Sequence, residues 1–153
     1  MRGVTLLLTG ILIGSAVQSA VGQQDRFVGL NHVGIVLANL DEARQFYTKT
    51  MGFREAWRNN QTTTFVQVSR DTFLELMPST PTRPPGLDHF GFQVDDAHAT
   101  TARLKQAGLT TSEVRISPSN LFVSSITDPS GIRFELHQVR PDSLLKKAMD
   151  SWR

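Results

Sequence analysis

The stretch GLNHVGIVLANLDEARQFY, Gly29 to Tyr47, sets a histidine near the front of a short apolar strand and follows that strand with a capped amphipathic helix. Asn39 is of N-cap type with Glu42 three positions on, and Leu40, Ala43, Phe46 or Tyr47, and Met51 recur at helical spacing until Gly52 ends the run. The same order of parts returns in DHFGFQVDDAHATTARLKQAGL, Asp88 to Leu109. There Asp95 or Asp96 caps, Ala97, Thr101, Leu104 and Ala107 mark the inward stripe, and Gly108 is the natural stop.

The likeness continues past the helices. TTTFVQVSRDTFLELM reads as two strands joined by a turn over Ser69 to Asp71, and NLFVSSITDPSGIRFELHQV as two strands joined by a turn over Asp128 to Gly131. Between the copies, Pro78 to Gly86 is rich in proline, which forbids a helix and suits an extended linker. Each half is therefore expected to be βαβββ. The chain divides into module one over 27–78, a linker over 79–86 and module two over 87–140. The fold class is α+β, two tandem βαβββ modules sharing a cupped mixed sheet.

Side chains alternate along a strand, so His32, Gly34 and Val36 share one face, as do His89, Gly91 and Gln93 in the other half. The glycine two places after each histidine keeps that face open. The last strand of each half carries a glutamate among apolar residues, Glu75 and Glu135. Taken singly, such histidines read as packed strand residues and such glutamates as outward-facing edge residues. The repeat argues against both: if the sheets join, two imidazoles and two carboxylates converge from equivalent positions. Burying an unpaired carboxylate is costly, and coordination to a cation removes that cost.

Composition narrows the function. A chain of 153 residues with 39% hydrophobic content can bury one ordinary core, and a formal charge of +2 with interspersed signs gives no nucleic-acid groove. Arg2 precedes the apolar run VTLLLTGILIG, and Ala20 and Gly22 hold the small-residue positions of a cleavage site, so residues 1–22 read as a secretory signal peptide. Export to a periplasmic or extracellular compartment follows; the membrane is a partner only if this segment stays uncleaved as an anchor. With no cysteine there is no disulfide framework, no thiol nucleophile and no sulfur ligand, leaving imidazole and oxygen for any metal.

The pairing of NHVGIVLANLDEARQFY and FLELM with DHFGFQVDD and DPSGIRFEL resembles the vicinal oxygen chelate superfamily, which includes glyoxalase I, methylmalonyl-CoA epimerase, extradiol dioxygenases and bleomycin-resistance proteins. The resemblance implies paired βαβββ modules cupped around one divalent cation held by His32, Glu75, His89 and Glu135. This set is most similar to the glyoxalase I pattern, implying a lyase or isomerase that moves a proton next to a carbonyl of a small-molecule substrate with vicinal oxygens. By resemblance Glu135 is the base, with Glu75 opposite it. Zinc, nickel, cobalt, manganese and ferrous iron all suit such ligands. An extradiol dioxygenase would need only His32, His89 and Glu135, and a fourth ligand at Glu75 reduces its room for catechol and dioxygen. A third reading is a non-catalytic binding protein of the bleomycin-resistance kind.

Remaining features have simpler expectations. Arg54, Arg58, Arg83 and Arg115 are scattered and read as solvated charges, giving no assured site for a glutathione carboxylate or a CoA phosphate. His137 shares a strand face with Glu135 and is expected at the rim, and His98 in solvent. Trp57 and Phe65 are core or cup-lining aromatics. Residues 141–153 read as a short amphipathic helix opened by Pro141 and Asp142, with Leu144, Leu145, Ala148, Met149 and Trp152 to one side, packing on the domain or on a second subunit. The resemblance implies that a homodimer is common.

Overall fold

A computed structural model describes residues 26–59 and 62–153; the expected signal segment, 1–22, lies outside the described residues. The first half contributes β1 (Phe27–Leu37), α1 (Leu40–Gln45) continued by a π-helical turn (Phe46–Thr50), β2 (Arg54–Asn59), β3 (Thr63–Ser69) and β4 (Thr72–Pro78). The second contributes β5 (Gly86–Val94), α2 (Ala97–Gln106), β6 (Arg115–Ile116), β7 (Phe122–Thr127) and β8 (Arg133–Gln138), followed by α3 (Leu144–Asp150). All eight strands form one sheet in the order β2-β3-β4-β1-β5-β8-β7-β6, curled into a half-barrel. Within each half the first and last strands run parallel, β1 with β4 and β5 with β8, and the halves join through the antiparallel pair β1 and β5. The join matters for function because it makes β4, β1, β5 and β8 four consecutive central strands.

The helix signals lie where the sequence puts them. Asn39 accepts from Glu42 N at 3.1 Å, and of the two candidate aspartates Asp96 caps α2, accepting from Ala99 N at 3.0 Å. Asp95 instead pairs with Arg26. Gly52 and Gly108 close the two helical segments at positive φ, 72° and 90°, where a β-carbon would be strained.

Three expectations for the first two helices and the linker need correction. The stripe Leu40 to Met51 assumes one continuous α-helix, but Met51 N bonds to Phe46 O and the wider turn rotates Phe46 and Met51 into solvent. In α2 the inward residues are Ala97, Thr100, Thr101 and Leu104, with Ala107 exposed. The proline-rich connection is not extended: Thr80 and Arg83 exchange backbone hydrogen bonds of 3.0 and 3.1 Å, folding it into a turn that aims Arg83 at Asp88.

The two faces of the sheet are covered differently. On the outer face Ala97 and Leu104 of α2 pack on Val94 and Leu136, with Phe92, Phe122 and Ile126 around them. On the inner face α3 seats Leu145 and Ala148 on Phe65 and Phe73 from the first half and Leu121 and Val123 from the second. Ser143, not Pro141 or Asp142, caps α3 by accepting from Lys146 N. Arg54 ties the far end of α3 to the sheet, donating to Ala148 O and to the Gln67 side chain. Arg54 and Arg83, both expected as solvated charges, are therefore structural, Arg83 through its bond to Asp88.

Candidate metal centre

The four residues singled out by the repeat meet on the inner face of the cup, one from each central strand: Glu75 on β4, His32 on β1, His89 on β5 and Glu135 on β8. One ligand atom from each lies within 4.8 Å of all the others. His32 Nε2 and His89 Nε2 stand 2.8 Å apart, and Glu75 Oε2 is 3.5 and 3.2 Å from them. Glu135 Oε2 is 4.0 and 3.7 Å from the same two nitrogens. Donors bound at about 2.0–2.2 Å around a tetrahedral ion stand roughly 3.3–3.6 Å apart, a spacing that the observed separations of 2.8 to 4.0 Å bracket.

Strand register explains the convergence. His32 lies opposite Gly91, and His89 opposite Gly34, across the β1 and β5 pair. Each imidazole therefore covers the glycine of the other half. A Cβ on Gly34 would stand 2.9 Å from His89 Nε2, and one on Gly91 2.7 Å from His32 Nε2, with other ring atoms nearer still. The glycines make room not for their own histidine but for the one contributed by the other module.

The residue before each histidine is the second device. Register skips Asn31 between the Leu30 and His32 pairs, and skips Asp88 between the His89 and Leu87 pairs, so both sit in β-bulges. A bulge frees the side chain from strict alternation, and each turns back onto its neighbour's ring: Asn31 Oδ1 is 3.2 Å from His32 Nδ1, and Asp88 Oδ2 is 2.6 Å from His89 Nδ1. An Nδ1–H donated outward leaves the Nε2 lone pair facing the centre. Two such lone pairs beside two carboxylate oxygens suit a cation and little else.

The halves differ in how firmly they are held. Asp88 also accepts from Arg83 Nε at 2.7 Å and Arg133 Nη2 at 2.6 Å, while Arg133 Nη1 donates to Glu135 Oε1 at 2.7 Å. Glu135 Oε2 meets His137 Nε2 at 3.0 Å. Glu75 meets polar groups of the described residues only at the two imidazoles. The bonds from Arg83, His89 and Arg133 hold Asp88 well below the usual carboxylate range against the cost of burial. Burial pushes Glu135 upward, but His137 and the other two imidazoles outweigh it and hold it well below. Burial, reinforced by the charges of His137 and His89, keeps His32 neutral far below 6.5. Burial also opposes charge on His89, yet Glu75, Glu135 and Asp88 together raise it.

His137 corrects the expectation of a rim position: it is buried, its ring centroid 4.6 Å from that of His32, with Nδ1 lacking a partner among the described residues. It lines, with Glu75, Glu135, Phe65 and Val123, a cavity of about 100 Å³ roofed by Ser117 to Leu121. Ser119 pins that roof to the first half, receiving Trp57 Nε1 at 3.1 Å and Asn59 Nδ2 at 2.9 Å. Trp57 stacks on Phe65 at 4.3 Å, so Phe65 lines the cup and Trp57 backs it. His98 is exposed, as expected, with its ring edge toward Phe122.

The family model for the Glyoxalase/Bleomycin resistance protein/Dioxygenase superfamily matches residues 29–136, a span that begins before His32 and ends just after Glu135. The chain belongs to this superfamily. By sequence, the Escherichia coli K12 protein YaeR, described as uncharacterized, is 25% identical over 122 residues, which cover 71% of this chain and 95% of YaeR. Methylmalonyl-CoA epimerase from Mycobacterium tuberculosis superposes with a TM-score of 0.64 at 24% identity, covering 77% of this chain and 92% of that one. The 2,3-dioxygenase LapB from Pseudomonas sp. KL28 superposes with a TM-score of 0.63 at 23% identity, over 73% of this chain and 41% of LapB. At these identities the structural matches establish a shared superfamily fold. They leave the reaction to be argued from the site.

Proposed function

We propose that this protein is a divalent-metal-dependent enzyme of glyoxalase I-like lyase or isomerase type, acting on a small substrate with vicinal oxygens through an enediolate-like intermediate. The observation that carries the reading is the meeting of four nitrogen and oxygen donors from four adjacent strands of one chain. His32, His89, Glu75 and Glu135 would hold the cation, which supplies Lewis-acid polarisation of the two substrate oxygens. We assign the base to Glu75, where the resemblance alone points to Glu135. Both oxygens of Glu135 are engaged, Oε1 by Arg133 and Oε2 by His137, whereas Glu75 faces the same cavity without such clamps. Glu75 takes the proton from the carbon beside the polarised carbonyl and returns it to the neighbouring position. Phe65 and the roof over Ser117 to Leu121 restrict water around the reacting carbon.

The test is metal analysis combined with proton exchange in D2O, followed by NMR on hemithioacetals and small 2-keto and 2-hydroxy compounds. Glu75→Gln should retain metal and slow exchange by about 10²–10⁴-fold, and Glu135→Gln should lower metal occupancy. Exchange unaffected by Glu75→Gln would remove the base assignment.

His137 favours a second reading, an extradiol-type dioxygenase using His32, His89 and Glu135, because it places a further imidazole with an unpartnered nitrogen in the cavity. That reading requires iron retention in Glu75→Ala and oxygen uptake with catechols by the ferrous protein. We also propose export directed by residues 1–22. Recovery of the intact N-terminus, Met1 included, from a cytoplasmic fraction of an expressing bacterium would oppose it.

A further inference from the structure

Among the arginines that the sequence scatters over the surface, Arg115 has a distinct position. Arg54, Arg58 and Arg83 are consumed by partners of this chain: Gln67 and the end of α3, Glu55, and Asp88 respectively. Arg115 pairs with no carboxylate of the described residues, and it lines the same cavity as Glu75, Glu135 and His137. Register puts it there: Arg115 lies opposite Val123 on β7, Val123 opposite His137 on β8, and His137 opposite Gln93 on β5. Cross-strand partners share a face, so Arg115 belongs to the inner row of the cup. The other polar side chains of that wall, Asn59, Ser117 and Ser119, are neutral.

Two carboxylates of the cavity lining, with two imidazoles, form a centre that a divalent ion would neutralise. Arg115, solvent-exposed on the same lining and without a carboxylate partner among the described residues, offers a planar guanidinium suited to a carboxylate. The partly open space of about 100 Å³ is small beside the roughly 300–1,000 Å³ of drug-sized ligand sites. We propose that Arg115 is the specificity-determining residue of this site and that the substrate carries, besides its vicinal oxygens, a distal carboxylate a few atoms away. This rests on the metal-centre reading.

The experiment compares two probes of similar size on the zinc-loaded protein by calorimetric titration: malate, with vicinal oxygens and a distal carboxylate, and 2-hydroxybutyrate, with a methyl group in its place. Malate is expected to bind about tenfold or more tightly. Arg115→Ala should bring malate to the level of 2-hydroxybutyrate with zinc stoichiometry unchanged, and Arg115→Lys should keep part of the difference. Equal binding of the two probes by the parent protein, binding of neither, or a malate advantage that survives Arg115→Ala would overturn the inference while leaving the metal centre intact. Failure of the parent protein to take up zinc, nickel, cobalt, manganese or ferrous iron would overturn both.

Discussion

Gly34 and Gly91 hold the site open by what they lack. Each lies beneath the imidazole of the other module, so Gly91→Ala drives a methyl group into the His32 ring and Gly34→Ala into that of His89. Overpacking of this kind costs about 1–3 kcal/mol, and because the obstructed atoms are the ligands themselves, metal affinity should fall by at least tenfold in either variant. Zinc titration and urea unfolding measure the two effects; an alanine at both positions with unchanged affinity would contradict the arrangement. Asp88 acts one shell further out. Asp88→Asn removes the anion that orients His89 and anchors Arg83 and Arg133, and should weaken metal binding by about 10–100-fold. Asn31 makes a single longer contact to His32, so Asn31→Ala should cost less. Equal losses in the two variants would count against the unequal halves.

At the level of elements, the duplication is exact in order and unequal in packing. α2 buries four residues against the outer face, whereas α1 buries none fully: Leu40 and Ala43 are half-buried, and the π-helical turn that follows leaves Phe46 exposed. α3 has no counterpart in the repeat and joins the halves from inside the cup. Leu145 is fully buried between aromatic residues of β3 and β4 and aliphatic residues of the second half, so Leu145→Ala should destabilise the protein by about 2–5 kcal/mol. A shift of the urea midpoint without a change in slope is the expected signature, and a loss under 1 kcal/mol would show that α3 is a peripheral attachment. The capped helices, both hairpins and the turn glycines were readable from local pattern, because each depends on residues a few positions apart. The π-helical turn, the folded proline connection and the bulges at Asn31 and Asp88 were not, since each is decided by a partner on another strand or in another segment.

Across the whole molecule the centre joins two modules, so an ion bound there stabilises the folded chain as a unit. At a free metal concentration a hundred times Kd the gain is about 2.7 kcal/mol, reversible by chelation, and thermal unfolding with and without EDTA should report it. Proton competition sets its pH dependence. The folded, metal-free protein raises the His89 pKa above its ordinary value, so that imidazole keeps its proton to higher pH than a free one, and an incoming ion must displace it. His32 is lowered well below 6.5 and Glu135 is lowered too, so neither carries a proton to displace over the same interval. Affinity should therefore rise with pH by about one decade per unit until His89 has titrated, and then level. Calorimetry in buffers of different ionisation enthalpy should find about one proton released; a release of two would mean that His32 is protonated as well.

The fold and the four ligand candidates were legible in the amino-acid sequence because a duplicated pattern carries its own internal control: His32 and Glu75 recur as His89 and Glu135 at equivalent places in the second copy. Local spacing also placed the helices and the hairpins. Only the tertiary structure decided that β1 and β5 pair antiparallel in a register that sets each histidine over the other half's glycine, and that bulges turn Asn31 and Asp88 onto the imidazoles. It alone joined Arg133 to Asp88, buried His137, and put Arg115 on the lining of the cavity. The physical reason is that alternation along a strand assigns a side chain to a face, but which side chains share that face as neighbours depends on the register between strands far apart in the chain.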